Sequence, residues 1–123
     1  MENCNDANCP VHGKLRLRGR KFVGMVLNAK AQKTATVEFE RKYHVPKYER
    51  YEIRYTRIKA HNPDCIDAEK GDIVELVECR KLSKTKSFVI TKKLSKERLF
   101  AEREALMEEA KVRKKEKQEE TKK

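Results

Sequence analysis

Hydrophobic and polar residues alternate along several short stretches of the first 93 residues, which is the pattern of half-buried β-strands. In the clearest stretch, Ala35, Val37 and Phe39 alternate with polar residues. A second strong pattern begins at a Gly71-Asp72 turn and continues with apolar residues. The predicted strands are residues 21–29, 34–40, 51–56, 73–78 and 88–91.

No helical pattern alternates with these five strands, so the sequence predicts an all-β antiparallel barrel or sandwich. A five-stranded Greek-key barrel of the OB type matches the size of this region, and OB barrels commonly bind ligands with their loops. An SH3-like barrel is the alternative that the pattern leaves open.

The connections between the predicted strands are polar and basic. Residues 28–33 suit a hairpin between the first and second strands. Because Pro46 cannot donate to a sheet ladder, residues 42–50 are predicted to form a long basic loop. The loop between the fourth and fifth strands, residues 80–86, has four cations and no acid.

The chain changes character at Leu94, after which charged residues dominate. Ser95 can cap a helix whose narrow apolar stripe is Leu99, Leu106 and Ala110. Residues 114–123 lose this stripe and are predicted to be disordered. The sequence therefore predicts an irregular segment with a candidate metal knuckle at 1–20, an OB-type barrel at 21–93 and a charged helical tail at 94–123.

The distribution of charge along the chain indicates the class of partner. Of the 123 residues, 41% are charged and 37% are hydrophobic, and the formal net charge is +11. Residues 1–93 carry +9 of this charge, in basic blocks at 14–33, 41–59 and 80–93. Clustered cations beside strand ends and loops indicate a surface that follows phosphates, so nucleic acid is the predicted partner.

No stretch approaches the roughly 20 apolar residues of a membrane span, and the N-terminus lacks an apolar signal region. We therefore expect a cytoplasmic protein with no membrane partner. Its four cysteines are expected to be reduced thiols or metal ligands rather than disulfides.

A candidate metal centre comes from the spacing Cys4, Cys9 and His12, with Cys65 as the fourth ligand. Thiolates and imidazole are zinc ligands, and a turn at Pro10 can direct three of them at one ion. Free thiols are the alternative. Cys79 is a poorer candidate because strand alternation places it on the buried side.

An enzyme is disfavoured. The three histidines and Ser83 have no recognisable base and orienting acid nearby in sequence, and there is no glycine-rich phosphate loop. We therefore predict no small-molecule substrate and no required cofactor, with zinc as the one candidate ion.

The four tyrosines interleave with cations between residues 41 and 57, and RNA recognition combines phosphate contacts with aromatic stacking. Tyr48 is predicted to contact RNA because it lies beside the basic residues of the loop. Tyr51 and Tyr55 have strand spacing, and one of the two is expected in the core.

Several segments resemble one known family. They are GDIVELVECR at 71–80, LSKTKSF at 82–88, CPVHG at 9–13, LRG at 17–19, VPKYERYE at 45–52 and AHNP at 60–63. Together they resemble the small-subunit ribosomal protein seventeen family, in its archaeal and eukaryotic branch, over residues 4–93. Lys81 stands where the family pattern has proline.

The resemblance implies an OB-fold protein that binds small-subunit ribosomal RNA, lies beside other ribosomal proteins and helps subunit assembly. Cations would screen the phosphates of neighbouring RNA helices so that the helices can pack. The implied RNA-binding residues are Arg16, Arg18, Arg20, Lys21, Lys30, Lys33, Arg41, Lys42, Lys47, Tyr48, Arg50, Arg54, Arg57, His61, Arg80, Lys81, Ser83, Lys84 and Lys86.

Two other functions are alternatives to this one. A free-standing single-strand nucleic-acid-binding OB protein needs several exposed stacking rings across one sheet face. A zinc-dependent DNA-binding module depends wholly on the metal and would lack a recognition helix. The concentration of cations in long loops favours structured RNA.

Overall fold

The structure is a computed structural model that describes the backbone of residues 4–120 and the side chains of residues 4–114. Strands make up most of it, and one long helix follows them. The elements are β1 (Leu17–Ala31), β2 (Thr34–Val45), β3 (Arg50–His61), β4 (Asp72–Cys79), β5 (Lys86–Lys96) and α1 (Phe100–Glu120).

The five strands close into a barrel in the order β1-β2-β3-β5-β4, with β4 returning to β1. All pairs are antiparallel except β3 and β5, which run parallel over a short seam. In that seam Lys59 lies opposite Lys86, Ala60 opposite Phe88 and His61 opposite Val89. This strand order confirms the predicted OB-type barrel rather than the SH3-like alternative.

The barrel core is aliphatic and small. Val26, Val37, Val74, Leu76 and Ile90 are fully buried, as the alternating pattern predicts. Full burial of such a side chain contributes about 1.5–3 kcal/mol. These five side chains all come from strands, so the barrel has a core of its own.

One predicted loop is instead a long hairpin. β2 and β3 stay in register from Thr34 opposite His61 to Val45 opposite Arg50. The turn is a short 3₁₀ helix, Pro46–Tyr48, in which proline occupies a first-turn position and loses no ladder hydrogen bond. The prediction of a loop over 42–50 was wrong because the hairpin projects beyond the core, so neither of its faces shows buried alternation.

Residues 4–16 form turns that pack on one end of the barrel. Cys9 is fully buried and Leu15 is 8% exposed. Leu15 joins Cys79 and Val89 in a second small core, against which Leu82 is partly buried. The burial of Cys79 is the one expected from its strand position.

β5 continues past the predicted boundary at Leu94, so Ser95 lies in a strand and does not cap the helix. α1 is attached at its first turn: Lys70 pairs with Glu104, and the Phe100 ring lies over Gly71. Gly71 has φ +88°, and a Cβ there would lie 2.8 Å from the ring of Phe100. A larger residue at 71 would therefore both strain the backbone and displace the helix.

Past Glu104, α1 has exposed apolar side chains, including Leu106 and Met107, and Met107 lines a cleft with Met25 and Leu27 of β1. The helix continues to Glu120 through residues predicted to be disordered. Residues 121–123 of that prediction lie outside the described part of the chain. No helix in the described part is both long and apolar enough to cross a membrane.

Candidate nucleic-acid interface and metal centre

The β2–β3 hairpin presents cations on the face that continues the core side of the sheet. Arg41 lies opposite Arg54, and Val45 opposite Arg50. The Arg54 guanidinium stacks over the ring of Tyr43, 3.8 Å from its centroid, and also bonds to Glu52. This face therefore offers planar guanidinium groups, two of which, Arg41 and Arg50, have no acidic partner among the described side chains.

The opposite face of the hairpin carries exposed aromatic and apolar residues from β3, which lie opposite Glu40, Lys42 and His44 of β2. Tyr51, Ile53 and Tyr55 are 72%, 60% and 61% exposed. The expectation that Tyr51 or Tyr55 lies in the core was wrong, because both residues lie beyond the barrel. Tyr48, 65% exposed at the tip with Lys47 5.4 Å from its ring centre, occupies the predicted position beside basic residues.

The predicted cations before and within β1 are all at the surface. They are Arg16, Arg18, Arg20, Lys21 and Lys30. In contrast, Lys33 is drawn into contacts within the chain: its Nζ lies 3.1 Å from an oxygen of Asp64 and 3.9 Å from one of Asp6. Lys33 is therefore partly neutralised by its own chain.

The cations of the β4–β5 loop also fall into two groups, those that are exposed and those that bond within the chain. Lys81 and Lys84 are exposed. Arg80 donates to Asn8 at 3.1 Å, and Lys86 donates to Thr34 at 3.1 Å. Ser83 accepts a hydrogen bond from the backbone N–H of Lys86, so its hydroxyl helps to close the loop.

Two other predicted RNA-binding residues are held by carboxylates. Arg57 pairs with Glu38 at 2.6 Å on the barrel surface. His61 is only 3% exposed, and its Nε2 lies 2.6 Å from an oxygen of Asp6. The prediction for His61 does not fit this position: a buried side chain with a buried partner ties two segments together and does not reach an external phosphate.

The four predicted metal ligands come together. The donor atoms of Cys4, Cys9, His12 and Cys65 all lie within 4.8 Å of one another. Cys9 Sγ is 3.4 Å from Cys65 Sγ and 3.6 Å from His12 Nδ1. Ligand atoms about 2.0–2.3 Å from one tetrahedral zinc ion are separated by about 3.3–3.8 Å, so the spacing fits.

The electrostatics of this cluster also suit a cation. Burial raises the pKa of the Cys9 thiol, but hydrogen bonds from the backbone N–H groups of His12 and Val11 and from the Cys65 and His12 side chains lower it overall. Burial, with hydrogen bonds to Cys9 and Cys4 and their charge, raises the pKa of Cys65. Thiolates this close oppose each other's ionisation, and a bound dication would remove that opposition.

Sequence reasoning missed three partners. No motif or spacing in the sequence indicates the pairs Asp6–His61, Asn8–Arg80 and Arg54–Tyr43. The Arg54–Tyr43 stacking could have been predicted only from the correct register of the hairpin. The others depend on how the N-terminal segment folds back across 55 or more residues.

Comparison with known proteins now gives the family. Residues 24–92 match the family model described as ribosomal protein S17. The chain is 52% identical over 93 residues to the small ribosomal subunit protein uS17 of Methanocaldococcus jannaschii, covering 76% of this chain and 80% of that one. It is 53% identical over 93 residues to that of Methanopyrus kandleri, covering 76% and 79%.

The protein of the same name from Nanoarchaeum equitans is 51% identical over 96 residues, covering 77% of this chain and 85% of that one. All three relatives are archaeal, in agreement with the branch that the sequence motifs resemble. The closed five-stranded barrel, the family match over most of that barrel and the identity to these relatives agree. The chain belongs to the ribosomal protein S17 family, in its archaeal-type branch.

Proposed function

We propose that the protein is a structural, non-enzymatic constituent of the small ribosomal subunit that binds ribosomal RNA and helps the subunit assemble. Its partners are small-subunit ribosomal RNA and neighbouring ribosomal proteins, and its place is on ribosomes in the cytoplasm. Family membership supports this role. The observation that carries it is the long hairpin, which extends cations and aromatic rings beyond the barrel.

The interface that we propose consists of separate basic elements on one rigid barrel. Predicted cations whose side chains make no ion pair or hydrogen bond within the described part of the chain are the main phosphate contacts, because they are free to replace the counterions of RNA. These are Arg16, Arg18, Arg20, Lys21, Lys30, Arg41, Lys42, Lys47, Arg50, Lys81 and Lys84. Tyr48 adds a stacking ring at the tip.

The remaining predicted residues have a supporting place in this proposal. Lys33, Arg54, Arg57, Arg80 and Lys86 already contact groups of the same chain. Such contacts orient a side chain, which can still offer its remaining N–H groups to a phosphate. Ser83 shapes the β4–β5 loop, and His61 is withdrawn from the interface.

The alternative, a free-standing single-strand binding protein, has less support. All four tyrosines lie on the hairpin, and none lies on the barrel wall. Three of the four phenylalanines pack with one another: Phe22 stacks on Phe39 at 4.6 Å and lies 5.9 Å from Phe88. The barrel therefore lacks the row of stacking rings that generic single-strand recognition uses.

Sedimentation tests this proposal. Tagged full-length protein is expected to co-sediment with small subunits in a sucrose gradient and to stay bound at moderate salt. Replacing Arg41, Lys42 and Arg50 with Ala should reduce its incorporation, whereas the matched replacement of three cations of α1, Lys111, Arg113 and Lys114, with Ala should not. Equal binding of the purified protein to arbitrary single strands and to small-subunit RNA would contradict the assignment.

We also propose that Cys4, Cys9, His12 and Cys65 hold a structural zinc ion. The barrel has a core of its own, so the ion would fix the N-terminal segment rather than the fold as a whole. The donor spacing and the mutual opposition of the thiols support this proposal.

Elemental analysis of protein purified without added metal should find close to one zinc per chain. The variant Cys9→Ser, Cys65→Ser should lose it, while Cys79→Ala, which removes a thiol in the barrel core, should retain it. Far less than one zinc in the unmodified protein would reject the site.

A further inference from the structure

The N-terminal segment links the candidate metal centre to the basic β4–β5 loop. Asn8 lies between Asp6 and the ligand Cys9, and its side-chain oxygen accepts a hydrogen bond from Arg80 at 3.1 Å. The backbone N–H of Asn8 bonds in turn to the Asp6 carboxylate. Asn8 is therefore held by two partners, Asp6 in its own segment and Arg80 at the start of the loop.

An apolar contact makes the same connection. Leu15, three residues after the ligand His12, is buried with Cys79 and Val89, and Leu82 packs against this cluster. Leu82 is the one apolar side chain of the 80–86 loop. Its anchor on the barrel is thus partly supplied by the N-terminal segment.

The two ends of the loop continue into β4 and β5, and Lys86 lies opposite Lys59 in the β3–β5 seam. Within the described part of the chain, the N–H groups of Leu82 and Ser83 bond to the carbonyl of Lys86, which closes the loop on itself. These bonds set its internal shape but not its direction relative to the barrel. Besides the strand ends, two side-chain hydrogen bonds direct the loop, from Arg80 to Asn8 and from Lys86 to Thr34. The packing of Leu82 on the cluster that contains Leu15 is the third contact.

The N-terminal segment is also fixed to the barrel near the end of β3. Cys65 follows β3, and Asp6 bonds to His61 in the last position of that strand. With zinc bound, Cys4, Cys9 and His12 would be held to Cys65 by metal bonds. Without it, the segment would keep only the Asp6–His61 pair, the Asn8–Arg80 hydrogen bond, the packing of Leu15 and weak thiol contacts.

We propose that zinc binding at this centre sets the position of the β4–β5 loop and so raises the affinity of the protein for ribosomal RNA. This inference rests on the zinc site proposed above. The metal contacts no RNA in this mechanism; it acts through Asn8 and Leu15 on the cations of residues 80–86. Oriented cations lose less freedom when they meet phosphates than mobile ones do.

A double-mutant cycle in the full chain tests the coupling, with transcribed small-subunit ribosomal RNA as the probe. The zinc-free variant Cys9→Ser, Cys65→Ser should bind this RNA roughly tenfold more weakly than the unmodified protein. In a chain that already carries Arg80→Ala, Lys81→Ala and Lys84→Ala, the same cysteine changes should have little further effect. Equal losses in both backgrounds would overturn the coupling, since the metal would then act elsewhere.

The variant Asn8→Ala separates coupling from folding, because it keeps all four ligands. It should retain zinc and bind RNA about threefold more weakly, whereas its exposed neighbour change Asn5→Ala should alter neither. Unchanged affinity of Asn8→Ala would count against the mechanism. Zinc content is measured in every variant, so that the metal site is tested separately from the coupling. If zinc is present but the cycle shows no coupling, only this inference is overturned. If the unmodified protein contains no zinc, both this inference and the proposed zinc site are overturned.

Discussion

The imidazole of His61 and the carboxylate of Asp6 form a buried pair, with Nε2 and Oδ2 2.6 Å apart and both residues less than 8% exposed. His61 ends β3, and Asp6 lies in the first described turn of the chain. The pair therefore closes the N-terminal segment onto the barrel. Its burial gives His61 a role in stability that its neighbours in sequence do not indicate.

Replacing His61 with Ala should lower the free energy of unfolding by about 1–3 kcal/mol, because Asp6 would keep a buried carboxylate with one fewer partner. Urea unfolding measures this change. His44→Ala, an exposed change on the hairpin, should stay within about 0.5 kcal/mol. A loss of RNA affinity in His61→Ala without a loss of stability would show instead that His61 contacts RNA.

Lys93 and Asp72 give a prediction at alkaline pH. Asp72 is fully buried, Lys93 Nζ lies 2.7 Å from its carboxylate, and the hydrogen bond to Asp72 raises the pKa of Lys93. The pair's contribution is therefore complete below the ordinary lysine pKa of about 10.4 and is lost as pH rises through the raised value. Lys93→Met should lower the melting temperature at pH 7 and remove this alkaline dependence.

A matched change at Lys92, which has no acidic partner among the described side chains, controls for the loss of charge. If Lys92→Met and Lys93→Met melt alike across the pH range, the buried pair does not stabilise the barrel.

Lys81 and Lys84 should act as phosphate contacts only. Replacing both with Ala should leave circular dichroism and melting unchanged, because both side chains are exposed. RNA binding should weaken similarly across sequences, and the slope of log affinity against log salt should fall by about 2. An unchanged slope would remove these residues from the interface.

The boundary between barrel and tail can be tested by truncation. Deleting residues 94–123 should lower the melting temperature, since it removes the end of β5 and the ring of Phe100 over Gly71. Deleting residues 105–123 keeps both and should melt like the full chain. Identical melting of the two truncations would place the boundary at residue 94, as the sequence pattern predicts.

The sequence predicted those parts of the fold in which burial repeats along the chain. Val37 on β2 lies between half-buried polar neighbours, and the apolar residues Ile73, Val74, Leu76 and Val77 of β4 are buried or half-buried, so both strands were found. The outer half of the hairpin was missed because Tyr43 and Ile53 are exposed on opposite faces and show no burial period. Its strand character comes from the ladder that continues from the barrel, which is a tertiary effect.

The residues of the candidate sites were likewise predictable where the signal is local in sequence and not where it depends on distant contacts. Cys4, Cys9 and His12 were found from spacing, and Cys65 from its residue type, since thiols in a reducing compartment favour metal. The burial of His61 was not predictable, because it depends on Asp6 reaching the barrel end. The ion pairs of Lys33 were not predictable for a related reason, because the acids that hold it, Asp6 and Asp64, are distant in sequence.

The fold-back of the N-terminal segment has a consequence for the time course of biogenesis. Cys9 meets a partner 56 positions later, and Asp6 meets one 55 positions later. At translation speeds of about 5–20 residues per second, the segment waits several seconds for them. Three of the four candidate metal ligands are therefore synthesised early, but the fourth follows several seconds later. The emergence of residues 61–65 from the translating ribosome sets the earliest moment at which the N-terminal segment can be fixed to the barrel.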